Sequence, residues 1–174
     1  MALPTTGRGW VLSTDESFVE NTTKLAFNEQ TLTDGAIEDL SQKYTSLVSL
    51  ELTGCTFNTA VFEDLPVLEN AATMTTITAS GSTGLSPGDN DGVPVSWAAA
   101  TKVAAIDVSD NGWTQAQVNA FLVALKAAVD AGMSSAAAAC TLDISSNAVP
   151  SGAGATAVTA LEADTPAWTI TADS

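Results

Sequence analysis

One eleven-residue phrase recurs along this chain with the same spacing of apolar positions. The most complete copy is "LVSLELTGCTF" at Leu47–Phe57. Copies at Val103–Trp113, "VAAIDVSDNGW", and at Ala139–Val149, "ACTLDISSNAV", keep the spacing and place asparagine where the first copy has cysteine. A unit repeated in this way cannot bury its apolar side alone, so successive units must stack and cover one another. The repetition therefore restricts the chain to folds built from a row of similar units.

Two weaker copies, "TKLAFNEQTL" and "MTTITASGSTG", and two short terminal phrases, "GWVLS" and "AWTITA", extend the row. From the second strand onward the intervals between first strand anchors are 25, 27, 29, 36 and 26 residues. Strands that alternate with helical intervals predict an α/β fold with a parallel sheet. The predicted first anchors of the strands are Trp10, Leu25, Leu50, Ile77, Ile106, Leu142 and Trp168.

The five copies resemble the pattern L-x-x-L-x-L-x-x-N/C-x-L of leucine-rich repeats, over roughly residues 22–172. This resemblance implies a short solenoid with a parallel sheet on one face and helices on the other. Residues 1–20 are then expected to form an N-terminal arm or cap, and residues 21–174 a domain of about five repeats. Trp10 and Trp168 lie in the terminal strands and are candidates for closing the ends or for meeting a partner.

The 36-residue interval carries the clearest helix pattern. Thr114 and Gln117 form a predicted capping box, and Gly132 is a predicted end. The apolar face consists of Val118, Phe121, Leu122, Leu125 and Val129. Shorter helical patterns occur in "TDGAIEDLSQKY", "VFEDLPVLEN" and "SGAGATAVTALEAD", whereas the Gly81–Gly92 segment is predicted as a mobile loop.

Equivalent positions of stacked repeats form columns, and two kinds of column are candidate sites. The cysteine and asparagine column should bond the backbone of the turns, a structural role; it contains Gln30, Cys55, Ser82, Asn111 and Asn147. The first outward column of the sheet reads Ala26, Glu51, Thr78, Asp107, Asp143 and Thr169. The second reads Asn28, Thr53, Ser80, Ser109, Ser145 and Thr171. Cys55 and Cys140 are predicted to be packed thiols, too far apart for a disulfide.

Asp107 and Asp143 fall on neighbouring strands, where two carboxylates repel unless a cation lies between them or water surrounds both. The preferred interpretation is solvated side chains on an open sheet face, and a shared cation is the alternative. No metal or cofactor is expected. A hydrolase that uses the two aspartates is a further alternative, but no base or pocket accompanies them in the pattern.

The charge distribution argues against several partners. Five Lys and Arg against twenty Asp and Glu give a net charge of −15, so nucleic acid and anionic membranes would be repelled. No apolar stretch long enough to span a bilayer and no signal-like N-terminus occurs. "GDNDG" fails the calcium-loop pattern because Pro87 stands at the first ligand position, and no nucleotide or nucleophile motif is present.

The C-terminal run "LDISSNAVPSGAGATAVTALEADTPAWTITA" resembles a repeat unit of tailed-bacteriophage structural proteins. That resemblance implies a non-enzymatic virion protein, and the acidity favours a capsid decoration or cement subunit on the outside of the shell. The expected partner is the major capsid protein or another virion subunit. Whether copies of the chain also form homo-oligomers on the particle is left open by the sequence. The alternative function is a leucine-rich-repeat recognition module, either tail-associated or bacterial. The alternative location is the cytoplasm.

Overall fold

A computed structural model describes residues 23–33, 46–58, 72–87, 97 and 99–173. Within these ranges the chain is a mixed α/β protein with mostly parallel strands and two α-helices. The strands are β1 (Lys24–Ala26), β2 (Thr31–Thr33), β3 (Ser49–Glu51), β4 (Thr56–Asn58), β5 (Thr76–Thr78), β6 (Ala105–Asp107), β7 (Cys140–Asp143) and β8 (Trp168–Thr171). The helices are α1 (Gln115–Asp130) and α2 (Gly152–Glu162). None of the described helices is long and apolar enough to cross a membrane.

Six strands form one sheet in the order β1-β3-β5-β6-β7-β8, and every neighbouring pair is parallel. Strands β2 and β4 form a second, smaller parallel pair. The predicted alignment of the first five described copies is confirmed, since their anchors lie opposite one another. This column consists of Leu25, Leu50, Ile77, Ile106 and Leu142.

The predicted alignment of the last strand is wrong by two residues. Ile170, and not Trp168, lies opposite Leu142, while Trp168 lies opposite Cys140. A shift of two residues keeps every side chain on the same side of the strand, so alternation in the sequence cannot detect it. The last member of the first outward column is therefore Thr171 instead of Thr169, and Thr171 does not belong to the second column.

The buried faces of strands and helices form one apolar core. All five pattern positions of the Leu47–Phe57 copy are buried. The Ala139–Val149 copy departs from the pattern, because Ala139 is exposed and Val149 is 42% exposed. Cys140 is buried in place of Ala139, and its Sγ lies 3.9 Å from the carbonyl oxygen of Val103. In this copy, therefore, the first buried residue comes one position later than the pattern predicts.

The prediction for α1 is confirmed. The Thr114 side chain accepts from the backbone N–H of Gln117, and the Gln117 side chain accepts from the N–H of Thr114. Gly132, with a φ of +120°, follows the C-cap residue Ala131. The predicted apolar face is buried except for Val129, which is half-buried. The helix therefore begins and ends where the sequence signals predict.

Helix α2 confirms the third of the shorter helical patterns, whereas the first two lie outside the described residues. Its N-cap residue, Ser151, makes no capping bond with its own side chain. Asn119 of α1 acts there instead: its Oδ1 accepts from the Ser151 N–H at 2.9 Å, and its Nδ2 donates to the Ser151 Oγ at 3.3 Å. At Gly154 an added Cβ would lie 2.9 Å from the Cα of Asn119, so only glycine permits this approach. The two helices are thus joined at one defined point.

The described part of the predicted 81–92 loop is packed against the core. Ser82, Leu85 and Pro87 are buried, and the Trp113 Nε1 donates to the Leu85 carbonyl oxygen at 2.9 Å. The loop prediction is confirmed for residues 81–87, which lie against the core through three buried side chains and the tryptophan bond, and the mobility of the segment stays a prediction. Residues 88–92 lie outside the described range.

Candidate functional site: the outward face of the sheet

The outward face of the six-stranded sheet carries hydroxyl and carboxylate side chains. In the structure the first outward column reads Ala26, Glu51, Thr78, Asp107, Asp143 and Thr171. All four predicted face residues, Glu51, Thr78, Asp107 and Asp143, are half-buried and belong to this one column. The structure thus brings them together as neighbours on consecutive strands.

Asp107 and Asp143 use the same local hydrogen bonds. The Oδ1 of Asp107 accepts from the backbone N–H of Ser109 at 3.0 Å and from its Oγ at 2.7 Å. The Oδ1 of Asp143 accepts from the N–H and Oγ of Ser145 at 2.9 and 2.6 Å. Each carboxylate is therefore held by the serine that lies two residues later in the chain, just after the strand ends. This repeated Asp-x-Ser arrangement orients the side chains without any contact to a base.

Glu51 has a different partner. Its Oε1 lies 2.5 Å from the Nζ of Lys24 on the neighbouring strand β1. This cross-strand ion pair is largely exposed, since 58% of the lysine side chain is accessible, and it contributes little to stability. Charge on the face is thus neutralised at the β1 end and remains negative toward β7.

A shallow open depression of about 260 Å³ lies over the β5–β8 part of this face. Its side chains include Thr78, Asp107, Asp143 and Thr171, with Thr141 and Thr169 beside them. Catalytic and small-molecule sites are normally concave and apolar with a few convergent polar groups. This depression is instead half open, and short side chains, threonines beside two aspartates, stand on it, so it suits contact over an area.

Within the described ranges, no group of three or more metal-ligating side chains is close enough to hold an ion. The two aspartates alone provide a pair of carboxylates, and one oxygen of each is already bonded to serine. The described residues therefore provide no third ligand for a cation shared by Asp107 and Asp143.

The predicted turn column forms a row of hydrogen bonds, which we name the rung row: Cys55, Ser82, Asn111 and Asn147. The side chain of each later member accepts from the backbone N–H of the member before it. Ser82 Oγ accepts from Cys55 N at 3.1 Å, Asn111 Oδ1 from Ser82 N at 2.8 Å, and Asn147 Oδ1 from Asn111 N at 3.1 Å. The row therefore links four consecutive turns. The side chain of Gln30 bonds the carbonyl oxygen of Asn28 in its own turn, whereas its backbone hydrogen-bonds the thiol of Cys55 in the next turn.

The two thiols are buried and free of disulfide bonds. Cys55 Sγ donates to the carbonyl oxygen of Phe27 at 2.8 Å. Burial raises the pKa of the Cys55 thiol, and backbone hydrogen bonds from Gln30 and Glu29 partly oppose this increase. Burial also raises the pKa of Cys140, opposed by a hydrogen bond with Ser134. Both thiols are therefore weak nucleophiles in the folded chain.

Of the two terminal tryptophans predicted to close the ends or meet a partner, the structure describes only Trp168. Trp168 is 2% exposed and belongs to the core, and its Nε1 has no hydrogen-bond partner within the part of the chain that the structure describes. Trp10 lies outside the described residues. As a buried side chain, Trp168 fits the predicted role in closing the end better than a role in direct contact with a partner.

Sequence patterns missed two sets of contacts beneath the face. One is the Asn119 cap on α2, for which the sequence offers only an asparagine on the polar side of a helix. The other is Lys126, whose Nζ pairs with Asp130 and lies 3.3 Å from the Oδ2 of Asp164. The hydrogen bond with Asp130 is the main cause of the raised pKa of Lys126, with Asp164 adding to it. Only the i,i+4 spacing of Lys126 and Asp130 was visible in the sequence.

No family model, curated protein or solved structure matches this chain.

Proposed function

We propose that the chain is a short leucine-rich-repeat solenoid that acts as a non-enzymatic structural protein of a tailed-phage virion. Its specific role is that of a capsid decoration subunit on the outside of the shell, with the major capsid protein as the partner. The observation that carries the proposal is the outward sheet face, where short threonine and aspartate side chains of consecutive strands stand in register around an open depression.

The regular columns support the repeat part of the proposal. Five aliphatic anchors lie opposite one another in parallel register, and the rung row joins four turns by side-chain bonds. Both features are what stacked repeats require, because each unit satisfies polar and apolar groups of its neighbour. The resemblance of the Leu142–Ala172 run to phage structural repeats supports the virion assignment.

The chemistry of the face supports binding over catalysis. Asp107 and Asp143 are oriented by serines, and no described side chain is placed to exchange a proton with them. Fixed carboxylates beside hydroxyls can instead accept hydrogen bonds from Lys, Arg or amide donors of a protein surface. The net charge of −15 suits a position outside the shell, away from packaged DNA.

The test is a binding assay on heads of the tailed phage whose genome encodes this chain, purified without it. Added chain should co-sediment with the heads and saturate at a fixed number of copies per head. Particles grown normally should contain the chain. Absence from normal particles, together with no binding to the purified heads, would contradict the proposal.

A matched pair of variants tests the face itself. Asp143→Asn removes a charge from the face, yet the amide oxygen can still accept both bonds from Ser145. Glu162→Gln removes the same charge from the exposed end of α2. We expect Asp143→Asn to weaken binding and reduce its salt dependence, whereas Glu162→Gln should bind like the parent chain.

A further inference from the structure

Asn111 and Gly112 form the only Asn-Gly pair in the sequence. In such a pair the main-chain nitrogen of the glycine can attack the side-chain amide carbon of the asparagine, because glycine has no Cβ in the way. Gly112 is exposed, and nothing lies within 4 Å of the position that its Cβ would occupy. The peptide bond between the two residues is therefore sterically open to this reaction.

Three hydrogen bonds hold Asn111 in the rung row. Its Oδ1 accepts from Ser82 N at 2.8 Å, and its Nδ2 donates to the carbonyl oxygen of Val108 at 3.0 Å. Its own N–H donates to Asn147 Oδ1 at 3.1 Å. A rotation of the side chain toward Gly112 would break both side-chain bonds, so the folded row opposes the reaction.

One oxygen of Asn147 holds the main chain on both sides of Gly112. The Asn147 Oδ1 accepts from Asn111 N at 3.1 Å and from Trp113 N at 3.0 Å. Asn147 and Trp113 are both buried. We name these two bonds the Asn147 clamp, which ties the Asn-Gly pair to a residue 36 positions later in the chain than Asn111.

We propose that Asn111 is a site of spontaneous deamidation, which the Asn147 clamp keeps unreactive until this part of the row opens. The Gly112 nitrogen forms a bond to Asn111 Cγ, the Cγ–Nδ2 bond breaks, and the amide leaves as ammonia together with the Gly112 N–H proton. Water then opens the cyclic imide. Cleavage of the N–Cγ bond gives aspartate, whereas cleavage between the nitrogen and the main-chain carbonyl carbon gives isoaspartate. The reaction needs only water and does not depend on the proposed virion role.

The two products affect the row differently. A carboxylate at position 111 can still accept from Ser82 N, and the Val108 carbonyl oxygen keeps its bond from Asn147 Nδ2 at 2.9 Å. Isoaspartate instead adds one carbon to the main chain after position 111 and so displaces Trp113 from the clamp. The aspartate form should therefore close the row again, whereas the isoaspartate form should not.

Asn147 provides a comparison within the same row, because the residue that follows it is unsuited to the reaction. Ala148 carries a methyl group, and its N–H donates to the carbonyl oxygen of Trp113 at 3.0 Å. The nitrogen that would attack is thus both hindered and hydrogen-bonded. We expect deamidation at Asn111 and not at Asn147.

Peptide mapping of the full chain by mass spectrometry tests the proposal. The parent chain is incubated folded in buffer and unfolded in urea, and the conversion of Asn111 is followed with time. Conversion should be at least about tenfold faster in the unfolded chain, because only a small fraction of folded molecules is locally open. Equal rates in the two states, or no conversion in either, would overturn the proposal.

A matched pair of variants separates the clamp from general stability. Asn147→Ala removes both accepted bonds, whereas Leu161→Ala shortens a fully buried side chain of α2 and lowers stability with the clamp in place. In folded samples Asn147→Ala should convert Asn111 about tenfold faster than Leu161→Ala does, the increase expected for one to two lost hydrogen bonds. Equal rates in the two variants would refute the clamp. The comparison on the parent chain needs no variant and decides the proposal where Asn147→Ala does not fold.

Discussion

Asn147 and Ser82 belong to the same rung row and occupy equivalent turns, but their side chains make different numbers of hydrogen bonds. Asn147 accepts from the N–H groups of Asn111 and Trp113 and donates to the carbonyl oxygens of Val108 and Ile144. Ser82 makes one accepted and one donated short bond through its hydroxyl, at 3.1 and 2.9 Å. A primary amide can accept two bonds and donate two, as Asn147 does, whereas a hydroxyl has a single donor. Asn111 uses its amide for two bonds only, one accepted from Ser82 N and one donated to the carbonyl oxygen of Val108.

The difference shows how one structural position tolerates different chemistry. Each rung residue must offer an acceptor to the preceding turn, and a hydroxyl or an amide can both do this. The amide adds two donors, and Asn147 uses both of them on the carbonyl oxygens of Val108 and Ile144. Stability should therefore be concentrated at Asn147.

The largest effect is expected for Asn147→Ala. The substitution removes the side-chain partner of three backbone groups, whereas the Val108 carbonyl oxygen keeps its bond from Asn111 Nδ2. Each buried unpaired group costs about 1–3 kcal/mol, partly relieved by water. We expect the free energy of unfolding to fall by about 3 kcal/mol in urea denaturation. A loss no greater than that of Ser82→Ala would contradict the ranking of Asn147 above Ser82.

Ser82→Ala should have the next largest effect. It removes the acceptor for Cys55 N and the donor to the Leu52 carbonyl oxygen, both buried. The expected loss is about 1–2 kcal/mol in the same assay. Ser80→Ala, two residues earlier and half-buried on the sheet face, is the matched control and should change stability by less.

The two buried thiols, Cys55 in the rung row and Cys140 on β7, make stability depend on pH. Burial raises the pKa of Cys55 and Cys140 in the folded chain, so the unfolded thiols ionise first as pH rises. The free energy of unfolding should therefore decrease above about pH 8.5, the ordinary cysteine value. In Cys55→Ala/Cys140→Ala this decrease should be smaller, although the double variant is less stable at neutral pH. An unchanged slope of stability against pH between about 8 and 10 would count against the buried-thiol explanation.

The smallest effect is expected away from the row, at Lys126. Lys126→Gln removes its ion pairs with Asp130 and Asp164 but leaves the helices packed. Exposed or partly exposed pairs contribute about 0–1 kcal/mol, so the melting temperature should change by a few degrees at most. A loss as large as that for Asn147→Ala would mean that the contact between the helix layer and β8, and not the rung row, limits stability.

The sequence predicted the parts of the fold that depend on periodic burial. The anchors of β1, β3, β5, β6 and β7, the α1 capping box and the four-member rung row follow from local patterns that repeat along the chain. Their agreement with the structure arises because each repeat uses the same short-range chemistry.

Features that depend on a contact between distant residues were not predictable in this way. The two-residue displacement of β8 preserves the in-and-out alternation, so only the structure distinguishes Ile170 from Trp168 as the partner of Leu142. The 81–87 segment has loop composition, yet three of its side chains are buried and the Trp113 indole bonds to it. For the candidate site, the sequence placed Glu51, Thr78, Asp107 and Asp143 in one column but could not assign Ser109 and Ser145 as the partners of the aspartates.

The parallel order of the strands also has a mechanical consequence. A pulling force applied between β1 and β8 acts across the strands, along the direction of their hydrogen bonds. Such a load opens the bonds between one pair of strands at a time, in contrast to a load along the strands, which strains many bonds together. The chain should therefore yield in steps when it is stretched across the sheet and resist more strongly when it is sheared along it.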